Sequence, residues 1–498
     1  MRHSAQSEEL QAKRDSRELE RLGYAQELLR SMGGFSTFAI SFTIISIITG
    51  VFTLYDYGLR MGGPLEMTLG WPLVSLGTLF VGLSMGELCS AIPTSGGTYH
   101  WSAELGSPTW AWFTAWFNIV GLVTEVAGID YGCATYLVPV LGLGSSHSVL
   151  LIAYGLILTS HALINHYGIR WVARLSDLSV TVHVLGVVVL VGALLIFVPK
   201  RPLGFLLNRQ TFSPVHGPYF WLFLLGLLQA QWTYTGYDGP AQVSEETVDP
   251  RHRAPWAIVM GVVMSGIFGY ILVLGLTWAI PTLNGVLSAK DSAGNSLPAV
   301  LAIVVSRLGE GAGRAVLLLA VAAMWFCGLS TLTSVSRVIY ALARDKGMPL
   351  AGVWSRTDPK HRTPGAAIWL AAGLAFAGLI YSGSVAVVTS ISVVGCYLAY
   401  ATPIYLGWRT KAQWVDKRGP WHLGRRSNLI NLLALAWTGF ICIIMIMPPN
   451  LRTGISIAVV VLTLFLLHVF TGPHEMRKPH WVVPETVSQN STAPCGEV

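Results

Sequence analysis

FLLGLLQAQWTYTGYDGPAQVSEE, residues 223–246, decides the fold. Its first half is apolar enough to sit in lipid, yet Gly236, Gly239 and Pro240 fall near its centre. A proline inside a helix removes one backbone hydrogen bond and clashes with the preceding turn. Freed backbone groups are costly in hydrocarbon unless they face protein or a wet cavity. A plain membrane helix has no use for such a sequence. A second stretch of the same character, SFTIISIITGVFTLYDYGL (41–59), sets Ser46, Thr49 and Gly50 in mid-membrane.

The composition around these stretches is that of a membrane protein. Of 498 residues 53% are hydrophobic and 11% charged, against about 25% charged in an ordinary soluble protein. The mean hydropathy is +0.56. A cytosolic enzyme, a disordered chain and a fibrous protein are poor fits. A bilayer core needs about 20 apolar residues per helix. Runs of that kind lie at about 33–59, 64–92, 109–141, 148–168, 176–198, 218–245, 255–281, 314–343, 365–385, 387–408, 428–448 and 453–471. The chain is therefore expected to be an all-α polytopic membrane protein with twelve transmembrane helices. Residues 1–31 form an N-terminal tail, 32–472 the transmembrane domain and 473–498 a polar C-terminal tail.

Charge gives the orientation. With the N-terminus in the cytoplasm, 24 of the 32 Lys and Arg residues fall in the tails and the cytoplasmic loops. Basic residues favour that side, so both termini are expected inside. The first 31 residues lack an apolar h-region, so no cleaved signal peptide is expected. Residues 8–31 read as a charged amphipathic helix, either a cytoplasmic gate element or membrane-surface anchor, or a solvated tail helix that only satisfies topology. The six cysteines show no CxxC spacing and read as small buried hydrophobes, with no disulfide framework or metal site.

The two interrupted segments are five spans apart. One opens a first set of spans, about 32–199, and the other a second set, about 218–408, with extra helices at about 428–471. Paired interrupted helices at matching places in two halves point to an inverted-repeat transporter whose site lies at the interruptions. An opened helix end presents unpaired N–H groups and the positive end of its dipole, which suits a carboxylate. In span 1 these are the amides around Thr49, Gly50 and Val51. An ammonium needs acceptors or aromatic faces, which Asp238, Trp232, Tyr234 and Tyr237 offer near Gly236. Glu125 and Asp130 in span 3 and His183 in span 5 are ionisable residues inside the membrane, where such groups face a cavity or a partner. His183 suits uptake and release of a proton. A neutral imidazole bonded to a neighbouring helix carbonyl is the alternative for His183, and a protonated, hydrogen-bonded carboxyl near Asn118 the alternative for Glu125.

Four blocks carry a resemblance. WTYTGYDGPAQVSEETVDPRHRAP (232–255), GELCSAIPTSGGTYHW (86–101), LSTLTSVSRVIYALARDKGMP (329–349) and RLGYAQELLRSMGGFSTFAISFTIIS (21–46) are similar to helix 6 and its loop, the end of helix 2, helix 8 and the start of helix 1 of one family. The chain resembles the amino acid–polyamine–organocation (APC) superfamily of secondary transporters, in particular its branch of amino-acid, GABA and choline permeases. The resemblance implies a LeuT-type fold, two inverted five-helix repeats plus two helices, working by alternating access. It places substrate at Thr49, Gly50, Val51, Trp232, Tyr234, Gly236 and Asp238, with Trp232 closing over it. It places His183 where relatives carry a proton-linked lysine, and Glu125 is assigned with it to proton coupling. Two departures stand out: the Gly-Ser-Gly-like turn of helix 1 reads Ile48-Thr49-Gly50, and histidine replaces lysine. Ser330, Thr331, Thr333 and Ser334 lie near where sodium-coupled cousins hold an ion.

The function expected is therefore transport, not enzymatic catalysis: a plasma-membrane permease for a small amine-bearing solute such as GABA, coupled to protons. Sodium coupling and a choline- or ethanolamine-type cation permease are the alternatives. No cofactor, metal or nucleic-acid partner is implied.

Overall fold

The apolar runs fold as helices in the computed structural model, which describes residues 2–471 except 23, 24, 27, 145, 198–200, 292, 293, 383, 415, 417 and 449. The expected C-terminal tail, 473–498, lies outside the described residues. In chain order the helices are α1 (Arg2–Arg21), α2 (Gly34–Ile45), α3 (Ile47–Ala91), α4 (Thr98–Leu105), α5 (Pro108–Val140), α6 (His147–Tyr167) and α7 (Ile169–Phe197). Then come α8 (Tyr219–Gly226), α9 (Leu228–Thr233), α10 (Gly239–Gln242), α11 (Pro250–Trp278), α12 (Leu283–Leu287), α13 (Ala299–Leu308) and α14 (Glu310–Arg344). The last are α15 (Ala351–Trp354), α16 (Gly365–Ser382), α17 (Val385–Arg409), α18 (Lys411–Trp414), α19 (Ser427–Ile446) and α20 (Leu451–Thr471). Among the described residues β pairing is limited to two isolated bridges, Met32 with Thr247 and Lys290 with Ser296.

Among the described residues, nine helical runs are long and apolar enough to cross a membrane. The sequence reading has twelve, and the difference has three physical sources. The first run, Gly34–Ala91, spans 58 residues, about 87 Å at 1.5 Å per residue, nearly three times the hydrocarbon thickness. It turns at Gly63, whose φ of 67° and ψ of −170° interrupt the helix just before Pro64. The stretch at 218–245 is divided among α8, α9 and α10, each too short to count alone. The third is α16, whose described apolar part is brief.

The central helix is α5, which packs against both α14 and α17, while α11 lies along α3. These contacts bring the two interrupted segments face to face. The end of the bundle nearest the N-terminus is closed by polar groups. Arg337 of α14 donates to Glu246 at 2.9 Å, with both side chains 1% exposed. Arg344 contacts both oxygens of Glu245 at 3.2 Å. The amides of Ser31 and Met32 donate to the Glu246 carbonyl, and Val248 N–H returns a bond to Met32.

The helix expected over 8–31 ends at Arg21. It buries Asp15 and Leu19 against the protein. Asp15 accepts the Asp249 amide at 2.9 Å, and Glu18 faces Arg251 at 3.6 Å. This helix is docked on the loop that leads into α11.

Candidate functional site

The first break falls at Ser46, three residues ahead of the Thr49–Gly50 position read from the sequence. Ser46 adopts a left-handed conformation, φ 32° and ψ 79°, which ends α2 and starts α3. Its hydroxyl caps α3 by accepting the Thr49 amide at 3.3 Å, and its carbonyl accepts the Gly50 amide at 3.0 Å. The expected carboxylate donors are thus corrected. Thr49 and Gly50 N–H are already engaged, and Val51 lies a turn inside the helix. The amides opened by the break are those of Ile47 and Ile48, the first two of α3.

His183 explains why Ser46 holds this place. Its Nδ1 faces the Ser179 carbonyl at 2.9 Å and its Nε2 faces Ser46 Oγ at 2.7 Å. A carbonyl only accepts, so Nδ1 carries the hydrogen. In the neutral ring Nε2 therefore accepts from Ser46, and Thr49 Oγ1, 2.6 Å away, donates to Ser46 Oγ. The imidazole is bonded to a carbonyl of its own helix, not of a neighbouring one, and is also joined to Thr49 through a single hydroxyl.

The second break runs from the end of α9 at Thr233 to the start of α10 at Gly239. Gly236 has a φ of 70°, and its amide donates to the Tyr400 hydroxyl at 3.1 Å. A Cβ on Gly236 would come within 2.3 Å of Ile44 Cγ2 and 2.9 Å of Glu125 Oε1, so only glycine fits. Asp238 is held by three donors: Gln242 Nε2 at 2.6 Å, Tyr400 Oη at 2.8 Å and Asn118 Nδ2 at 3.4 Å. Asn118 also donates to Thr98, not to Glu125. The Tyr234 ring turns towards α3, where its hydroxyl meets Ser75 at 2.7 Å and its ring packs on Trp71.

Between the breaks lies a cavity bordered by Thr49, Gly50, Glu125, Trp232, Thr233 and Cys327, among others. It measures about 10 Å³, enough for about one water. Of the residues expected to bind substrate, Thr49, Gly50 and Trp232 line it, joined by Glu125. Val51, Tyr234, Gly236 and Asp238 do not; Gly236 and Asp238 instead shape the break beside it. Glu125 is buried, flanked by Thr235 and the Cys396 thiol, which lies 3.9 Å away. The cavity wall residues Thr233 and Cys327 and the latch residue Tyr400 escaped the sequence reading. Ser46 carried a signal, as a polar residue in mid-membrane; Tyr400, in a span far along the chain, carried none.

Three of the four α14 hydroxyls singled out above are engaged with protein. Ser330 meets Ser176 at 3.1 Å, Thr331 donates to the Cys327 carbonyl at 2.9 Å, and Thr333 donates to Asn165 at 2.7 Å. The Ser334 hydroxyl is buried with no partner among the described residues.

Comparison with known proteins agrees with this architecture. A family model described as "Amino acid permease" matches residues 32–467. Amino-acid permease BAT1 of Arabidopsis thaliana is 37% identical over 454 residues, covering 86% of this chain and 88% of the relative. Its homologue in Oryza sativa subsp. japonica is 37% identical, covering 87% of each. A putative polyamine transporter of Candida albicans is 26% identical, covering 86% of this chain and 78% of that protein. With a matched region that contains both breaks and the cavity between them, this chain belongs to the amino acid permease family of the APC superfamily, as a multi-pass membrane permease.

Proposed function

We propose that the protein is a secondary active transporter that moves a small amino acid or amine such as GABA across the plasma membrane by alternating access. Twelve spans, arranged as a LeuT-type inverted repeat of five plus five with two further helices, carry the cycle, and both termini face the cytoplasm. The observation that carries this reading is the meeting of two interrupted helices at one closed cavity lined by Glu125 and Trp232. The substrate carboxylate approaches the opened amides of Ile47 and Ile48, and Thr49. Glu125 receives the amine, and Trp232 covers it. Asp238 holds the break in shape from behind.

Protons drive the cycle in this reading, through His183 and Glu125. A proton on His183 Nε2 turns that nitrogen from acceptor to donor. Ser46 then donates to Thr49, which frees the Thr49 hydroxyl hydrogen for the substrate. The engaged hydroxyls of Ser330 and Thr333 speak against sodium, although the free Ser334 keeps it as an arm of the test. A choline-type carrier calls for a cage of several aromatic rings, and Trp232 is the one ring bordering the cavity among the described residues.

Uptake of labelled GABA, arginine and choline into proteoliposomes, with and without an inward proton gradient or sodium, tests the reading. The expected result is proton-stimulated uptake of an amino acid that collapses in His183→Ala. Uptake of choline alone, or uptake driven by sodium and indifferent to His183→Ala, overturns it.

A further inference from the structure

A second pair of ionisable groups lies behind the cavity wall. Asp130 of α5 and His161 of α6 are both fully buried, and His161 Nδ1 donates to Asp130 Oδ2 at 3.1 Å. The other atom of each, Asp130 Oδ1 and His161 Nε2, has no partner among the described residues. Both groups crowd the same residue of α14: a Cβ on Gly328 would fall 1.9 Å from Asp130 Oδ1 and 2.7 Å from His161 Cε1. Gly328 therefore opens the space this pair occupies. Its neighbour Cys327 borders the substrate cavity.

With a neutral imidazole and an ionised carboxyl the dyad carries a net charge of −1 inside the membrane. Among the described residues no Lys or Arg forms an ion pair with it. On α14 the nearest basic residues, Arg337 and Arg314, are about 13 and 21 Å from Gly328 along the helix. The other titratable side chains are Cys133, Tyr131 and, farther along, Glu125 on α5, Tyr154 and His166 on α6, and Cys327 on α14. From α16, Phe376 stacks on Tyr154, and from α7, Ser176 meets Ser330, a turn away from the dyad. One added proton makes the dyad neutral, as an imidazolium–carboxylate pair or as imidazole with carboxylic acid. An uncompensated buried charge is costly, and a dyad with no net charge, hydrogen-bonded within itself, lowers that cost.

We propose that Asp130 and His161 form a proton-binding site of the transport cycle, distinct from His183. The inference rests on the transporter reading above. The proton enters at the unpartnered His161 Nε2 or Asp130 Oδ1, and its arrival takes the dyad from −1 to 0. The charge change is felt at Gly328, one residue from the cavity wall. The dyad thus links proton occupancy to the seating of α14 against α5 beside the solute.

Titration of the purified full chain with ¹³C-labelled histidine, followed by NMR, reads the proton directly and needs no substrate. The His161 signal is assigned by its absence in His161→Gln. It is expected to report one protonation step of the dyad, and that step is expected to move in Asp130→Asn. A His161 signal that shows no step with pH, or the same step in Asp130→Asn, overturns the proposal whatever the protein transports. The second arm is the ratio of labelled GABA or arginine uptake with and without an inward gradient of one pH unit, which cancels differences in the amount of folded protein. One proton per solute permits up to about tenfold accumulation for that gradient. The ratio is expected to fall to about one in both variants. Wild type without any gradient effect refutes the proton-coupled reading together with the dyad's part in it. A wild-type effect that survives in both variants refutes the dyad alone.

Discussion

Replacing Gly50 with alanine tests whether the two breaks support each other. A Cβ at position 50 would lie 1.9 Å from Thr233 Oγ1, 2.5 Å from its Cβ and 2.7 Å from its Cγ2. The closest of these is 1.1 Å short of the 3.0 Å that real Cβ atoms keep. Thr233 cannot swing away, because its hydroxyl donates to the Gln229 carbonyl at 2.9 Å and its branched side chain is fixed on α9. The backbones of α3 and α9 must separate instead. Overpacking of this kind costs about 1–3 kcal/mol, and three contacts under 3.0 Å put Gly50→Ala at the upper end. Thr233→Gly removes every clashing atom, so the double variant should recover most of the loss, with a coupling of at least about 1 kcal/mol. Thermal unfolding in detergent and the KM for uptake are the two readouts. Additive effects of the two substitutions, or an unchanged KM in Gly50→Ala, refute the claim that the breaks meet here.

The remaining predictions use other contacts. Glu125→Gln should raise the KM for amine-bearing solutes by about tenfold or more, the loss of one charged hydrogen bond of about 1.5–3 kcal/mol. Asp238→Asn should act on folding instead, because its new NH₂ faces the Gln242 or Asn118 donors; about 1–3 kcal/mol of stability is expected to go, read by thermal unfolding. Arg337→Met leaves Glu246 buried without its partner, at about 3–5 kcal/mol, and Arg337→Met/Glu246→Leu should return most of that in the same assay. Burial pushes the Asp345 carboxyl up, but the hydrogen bond and charge of His100, with Arg344 and Tyr99, hold it below the usual carboxylate range. That contribution to stability is complete above the ordinary carboxyl pKa of about 3.9 and is lost as pH falls through the lowered folded value. Thermal stability should therefore drop in acid more steeply in the wild type than in Asp345→Asn.

The breaks were legible because glycine and proline inside an apolar run are local signals, readable without any neighbour. The helix class was legible for the same reason. What the sequence could not supply was the use of each polar group, which depends on residues far away in the chain. Asp238 beside a break reads as a ligand for an amine. Its three donors come from α10, α5 and α17, and only their convergence shows it is a latch. Ser46 likewise ends α2 because His183, 137 residues on, fixes its hydroxyl. Local preference alone puts the interruption at the next glycine, Gly50. His161 carried no signal until α5, α6 and α14 were set side by side.

The closed state has an energetic consequence for how the transporter opens. A cavity with room for about one water cannot admit an amino acid, so solute entry requires α3 and α9 to part at Gly50 and Thr233. In the proposed alternating-access cycle, opening at the end nearest the N-terminus separates α14 from the loop that carries Glu245 and Glu246. Pulling the Arg337–Glu246 pair apart in a dry interior would cost several kcal/mol per ion. Water that enters as the helices part hydrates both ions and removes most of that cost. The same pair therefore resists small separations strongly and a wetted opening weakly. That contrast favours two states, sealed or flooded, over a partial leak. The docked α1 packs on the start of α11 beside this loop, through Asp15 and Glu18.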